Sequence, residues 1–141
     1  MSAIVLDGSV ALSWVLPDEL AASTQAIRTA IEAGDRTIVP SHWALEIANA
    51  LWAAERRKRI TQPDTTAALA ALEKISIESD TETGRRAGRE TLTLARENAL
   101  SVYDAAYLEL AVRHGAVLAS LDGPLRAAAK KLNVPLLPEN I

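Results

Sequence analysis

Short, continuous apolar runs that stop at polar or turn-forming residues set the pattern of the chain. Ala3-Ile4-Val5-Leu6 halts at Asp7-Gly8-Ser9, and Thr37-Ile38-Val39 halts at Pro40. Ala116-Val117-Leu118-Ala119 gives way to Ser120-Leu121-Asp122, and Val134-Pro135-Leu136-Leu137 is a last such run. Runs this short suit strands buried on both faces, as in a parallel sheet. Ile75-Ser76-Ile77 alternates and reads as an edge strand. Between the runs, helices are expected over residues 10–16, stopped by Pro17, and 18–33, with Gly34 at the C-terminal end. Further helices are expected over 41–59, from Thr61-Gln62-Pro63-Asp64 onward, and over 81–98, 101–114 and 124–132. Strands alternating with helices predict an α/β fold with a mainly parallel sheet.

Composition narrows the function classes. The 141 residues show no repeat or linker, so one domain over residues 1–141 is expected. Without cysteine there is no disulfide, thiol nucleophile or zinc–thiolate site. No apolar run approaches the ~18 residues of a membrane span. The apolar stretch 3–16 carries Asp7 and lacks a basic lead-in, which suits an export signal poorly. These features predict a cytoplasmic protein with no membrane partner. The net charge of −3 counts against a non-specific nucleic-acid binder, because such proteins usually carry a basic excess.

Ligands of open parallel sheets bind beyond the carboxyl ends of the strands. Asp7 and Asp122 follow two of the predicted strands, and Glu46 and Asp104 lie on predicted helices. Four carboxylates on one rim would repel one another unless a cation stood between them. All-oxygen ligation selects hard ions such as Mg²⁺ or Mn²⁺. Each acid also has a plainer reading. Asp7 and Asp122 are good helix N-caps, the latter followed by Gly123-Pro124, and Ser101-Val102-Tyr103-Asp104 resembles a capping box. Capping and metal binding are compatible, since a carboxylate has several lone pairs. Glu46 stands apart. The segment from Trp43 to Ala54 is apolar nearly all round, which predicts a helix buried on most sides. Its strongly polar members, Glu46 and Asn49, share a face, and a buried carboxylate is costly unless paired or bound to a metal.

The hydroxyls of Ser9 and Ser120, two residues from Asp7 and Asp122, are placed to orient carboxylates, to bind phosphate, or merely to bond within turns. His42 and His114 have no serine–acid partner nearby in sequence, so no catalytic triad is built. Trp14, Trp43 and Trp52 are assigned to core or interface packing. The basic groups Arg56-Arg57-Lys58-Arg59 and Arg85, Arg86 and Arg89 fit either a solvated face or a grip on phosphates.

These residues match a known pattern. The segment Ile4-Val5-Leu6-Asp7-Gly8-Ser9-Val10-Ala11-Leu12-Ser13-Trp14 resembles the opening of PIN-domain ribonucleases, particularly bacterial VapC-type toxins. Pro40 together with Glu46-Ile47-Ala48-Asn49-Ala50-Leu51 resembles their second acidic motif, and Ser101-Val102-Tyr103-Asp104-Ala105-Ala106 the third. Leu118-Ala119-Ser120-Leu121-Asp122-Gly123-Pro124-Leu125 resembles the fourth. Gly8 departs from the pattern, where a small side chain is commoner.

The resemblance implies a three-layer α/β/α sandwich around a small sheet. It implies that Asp7, Glu46, Asp104 and Asp122 gather around Mg²⁺ or Mn²⁺, with Ser9, Asn49 and Ser120 supporting them. It further implies hydrolysis of RNA, a homodimer, and silencing by a VapB-type antitoxin. Asp7 and Asp104 are the expected direct ligands, Glu46 and Asp122 act through water or a second ion, and Ser120 is a candidate to position the scissile phosphate. Two rivals remain: a metal-dependent structure-specific nuclease or phosphatase, and a non-catalytic toxin-like binding module. A phospho-aspartate phosphatase would want a second carboxylate where Ser9 stands.

Overall fold

The computed structural model describes residues 3–140. Five parallel strands form one sheet in the order β3-β2-β1-β4-β5. They are β1 (Ile4–Leu6), β2 (Thr37–Val39), β3 (Glu78–Ser79), β4 (Val117–Ala119) and β5 (Leu136–Leu137). Alternate strand residues feed two separate cores. Ile4, Leu6, Val39 and Ala119 face one, and Val5, Ile38, Leu118 and Leu136 face the other, as the two-residue period of a strand requires.

The first core is covered by α1 (Gly8–Val15), α2 (Ala22–Glu32), α3 (Trp43–Arg56) and α4 (Gln62–Glu73). The second lies under α7 (Val102–His114) and α8 (Gly123–Lys131), with Leu94 of α6 (Leu92–Asn98) packed against it. The expected three-layer sandwich is therefore present. Crossovers through helices put all five strands in parallel and every strand's carboxyl end on one edge.

Four expectations are corrected. The second helix begins at Ala22 rather than near residue 18, because Asp18 and Glu19 are drawn to Arg59, at 2.8 and 3.0 Å. The edge strand falls at Glu78–Ser79, not at Ile75-Ser76-Ile77. The alternation of Ile75 and Ile77 serves packing into the first core, and the ladder to β2 is made by the next residues, in register with Ile38 and Val39. The expected helix over 81–98 is broken into α5 (Thr83–Arg86), a π-helical turn (Ala87–Thr91) and α6. Arg89, at φ −121° and ψ −108°, leaves the helical region there, and glycines 84 and 88 supply little helix propensity to resist the break.

The fourth correction concerns α3. It buries only a stripe comprising Ile47, Leu51 and Ala54. Leu45 is 75 % and Trp52 53 % exposed, since a helix in an outer layer presents one face to the core. The apolar remainder forms an open surface.

Arg113 of α7 ties the exit of β3 to the second layer. Its guanidinium donates to Asp80 at 3.0 and 2.8 Å and to Glu109 at 2.8 and 3.0 Å. All three side chains are largely buried, and paired, charge-assisted bonds of this geometry are strong. The hydrogen bond from Arg113 holds the Asp80 carboxyl down to about 2. A depressed carboxyl stabilises the fold above its unfolded value and ceases to as pH falls through the folded one. Asp80→Asn is expected to cost about 2 kcal/mol at neutral pH in urea unfolding. The gap from wild type should narrow as pH drops from about 4 to about 2.

Candidate active site

The site is built on strand ends. Asp7 leaves β1 with its backbone N–H donating to the Ala119 carbonyl at 2.9 Å, which extends the β1–β4 ladder by one bond. Its own carbonyl accepts from Val10, which opens α1. Asp7 occupies the N-cap position, yet its side chain makes no capping bond. Instead Oδ2 accepts two hydroxyls, Ser9 Oγ and Ser120 Oγ, each at 2.7 Å. Ser9 Oγ in turn accepts the Leu121 N–H at 2.9 Å, and Ser120 Oγ the Asp122 N–H at 3.1 Å. Both hydroxyl hydrogens therefore orient the buried carboxylate. Ser120 is fully buried, with its hydroxyl hydrogen committed to Asp7.

Asp122 behaves as the plainer reading required. It caps α8 through Leu125 N–H to Oδ2 at 2.9 Å. Ser101 accepts from Asp104 N–H at 3.1 Å. Among the described residues no return bond from the Asp104 side chain completes the box, as Asp64 does for Thr61 at 2.8 Å. Gly8 excludes nothing, since a Cβ there would meet Ile47 Cδ1 at an ordinary 3.5 Å.

Glu46 lies in the first turn of α3, half-buried. Asn49 is exposed and, among the described residues, makes no side-chain hydrogen bond. The partners of Glu46 come from elsewhere. Tyr107, fully buried on α7, donates to Oε1 at 2.6 Å. His42 Nε2 lies 3.1 Å from the same oxygen. Neither residue was singled out as a site member from sequence. The i, i+4 spacing of His42 and Glu46 was the available signal for the first; nothing local marks the second.

Electrostatics join the four acids. Burial pushes the Asp7 carboxyl above its ordinary value; repulsion from Asp104 and Glu46 adds to this, and the two serine hydroxyls oppose it. Asp104 is raised by burial and by Asp122 and Glu46. For Glu46 burial pulls upward, but the bonds from His42 and Tyr107 outweigh it and the carboxyl is lowered. The Tyr107 hydroxyl is held far above its usual range by burial, by Glu46 and by the neighbouring carboxylates, so it remains a donor. Each acid sits at the start of a helix: Asp7 and Asp122 at N-caps, Glu46 and Asp104 in first turns. Helix N-termini favour negative charge, which helps four carboxylates to share one edge.

The donor set fits a hard cation: all oxygen, mutually repelling, and without an Arg or Lys ion-pair partner among the described residues. No group of three or more His, Asp or Glu side chains among the described residues is drawn together into a ready-made cage. A bound ion would have to gather these side chains around it.

A sequence model described as the PIN domain matches residues 4–131. No curated protein sequence matches the chain. Among solved structures, PAE2754 from Pyrobaculum aerophilum is similar at 22 % identity and a TM-score of 0.71, over 97 % of this chain and 85 % of that one. FitAcB from Neisseria gonorrhoeae is similar at 15 % identity and 0.64, over 98 % and 99 %. Mycobacterium tuberculosis VapC20, described as a toxin cleaving the sarcin–ricin loop, gives 22 % and 0.56, over 89 % and 95 %. These likenesses establish the fold.

The raised carboxyl of Asp7 has a measurable consequence. A carboxyl that is higher in the folded than in the unfolded chain favours unfolding once pH exceeds its unfolded value, and it costs nothing at acid pH. In EDTA, Asp7→Asn is expected to raise the melting temperature at neutral pH. The gain should vanish below about pH 4 in the same thermal melts.

Proposed function

Because the chain belongs to the PIN domain family, a family of nucleases, we propose that it is a metal-dependent endoribonuclease acting as the toxin of a toxin–antitoxin pair. The observation that carries this reading is the convergence of Asp7, Glu46, Asp104 and Asp122 at one sheet edge, with Asp7 buried under two serine hydroxyls. The similarity to VapC20, described as a loop-cleaving toxin, supports RNA as the substrate. Asp7 and Asp104 would hold Mg²⁺ or Mn²⁺, with Glu46 and Asp122 completing the set.

When bound, the ion supplies Lewis acidity that activates water for attack and neutralises charge on the phosphate oxygens. The chain's own residues do the positioning. Ser9 and Ser120 fix the rotamer of Asp7, Tyr107 and His42 hold Glu46, and the N-terminus of α8 restrains Asp122. Burial of Asp7 keeps bulk water from competing for it.

A second copy and a VapB-type antitoxin are the proposed partners. Leu45, Trp52 and Leu69 supply exposed apolar surface for such contacts. An apolar groove of about 350 Å³ runs between α3 and α4, lined by Val39, Trp43, Ile47, Leu69 and Leu72 among others. The acid edge would attract a basic antitoxin segment when no cation is bound. No helix among the described residues is long and apolar enough to cross a membrane; the proposed site of action is the cytoplasm.

Cleavage of RNA and of matched DNA with Mn²⁺ tests the assignment. Wild type should cut RNA, EDTA should abolish the activity, and Asp104→Asn should lower it by at least about 100-fold. Equal activity in the mutant, or activity surviving EDTA, would overturn the reading. A preference for DNA would favour the structure-specific nuclease.

A further inference from the structure

Glu46 and Asp7 are held by the same device. Each has one oxygen engaged by two side chains: Oδ2 of Asp7 accepts from Ser9 and Ser120, and Oε1 of Glu46 accepts from Tyr107 and lies 3.1 Å from His42 Nε2. Neither pair of side chains engages the second oxygen. We propose that Tyr107 and His42 are positioning residues that lock Glu46 in one orientation and leave Oε2 as the oxygen it offers to the cation site. The inference rests on the metal-dependent reading given above.

The geometry of His42 makes its role specific. Nε2 faces two acceptors, Glu46 Oε1 at 3.1 Å and the Tyr103 carbonyl oxygen at 3.2 Å. With a hydrogen on Nε2, the ring can donate between these two oxygens. The ring is clamped edge-on to Tyr103 and Tyr107, with centroids 5.7 and 5.6 Å away. Tyr107 is fully buried and spans 61 positions of sequence to reach Glu46. A glutamate with three free torsions at a half-exposed site would otherwise lose that freedom on binding an ion; here two rigid rings from different helices restrain it beforehand.

The test is Mn²⁺ binding to the whole chain, followed by electron paramagnetic resonance, with thermal melts as a control on folding and RNA cleavage as a second readout. Tyr107→Phe removes only the hydroxyl and should weaken Mn²⁺ binding by about ten-fold or more, as lost partners of metal-ligating side chains do. His42→Ala should do the same, and His42→Gln, which restores an N–H donor, should recover part of the loss. In a Glu46→Gln background, Tyr107→Phe should change Mn²⁺ affinity by less than about two-fold, because the residue through which it acts is gone.

Unchanged Mn²⁺ binding in both Tyr107→Phe and His42→Ala would overturn the proposal, as would a loss that persists undiminished in the Glu46→Gln background. Should Tyr107→Phe fail to fold, the His42→Ala and His42→Gln pair decides the matter alone. Absence of Mn²⁺ binding by wild type would overturn the metal-dependent reading and this inference with it. That outcome is distinct from wild-type binding that the variants leave intact.

Discussion

Two serine hydroxyls meeting on one oxygen of Asp7 hold the working edge of this protein together. Ser9 lies on the first turn of α1 and Ser120 beyond β4, so their shared acceptor joins the two central strands where the ladder ends. Each hydroxyl also accepts a backbone N–H, from Leu121 and Asp122. The segment that carries Asp122 is therefore fixed by the same bonds that orient Asp7. A buried carboxylate is expensive, and here two hydroxyls and a helix N-terminus, with no arginine, offset only part of that cost. That choice leaves the negative charge uncancelled and open to a cation.

Charge elsewhere is handled in the opposite way. Arg36 pairs with Glu78, Arg59 with Asp18 and Glu19, and Arg113 with Asp80 and Glu109. Arg85 and Arg86 both reach Glu82. Of the two basic groups visible in the sequence, Arg56, Arg57, Lys58 and Arg89 form no ion pair among the described residues. A net charge of −3 thus conceals a largely neutralised surface and one strongly acidic edge. The total says little about what the molecule binds; the placement says more.

The strands and the four acids were legible because each is local. A run of three buried residues followed by a polar turn is visible in a window of seven, and so is an acid placed just after it. The supporting serines were legible for the same reason. What could not be read is what joins distant segments. Tyr107 looks like one more apolar position of α7, and only folding shows that its hydroxyl reaches Glu46 on another helix. The open face of α3 was illegible in another way. Apolar residues all round a helix imply complete burial, and periodicity does not reveal that Leu45 and Trp52 have nothing among the described residues to cover them. The shift of the edge strand to Glu78–Ser79 follows from hydrogen bonding that hydropathy does not record.

The bond between Ser120 and Asp7 spans 113 positions, which has a consequence for biosynthesis. Chains are made from the N-terminus, and contacts between remote positions wait until the later segment is available. Asp7 and Glu46 leave the ribosome well before the strand beside β1 and the Ser120 hydroxyl that fixes Asp7. A nascent chain therefore carries the acids without the frame that aligns them. The acid edge takes shape only once that later strand and its serine have been made.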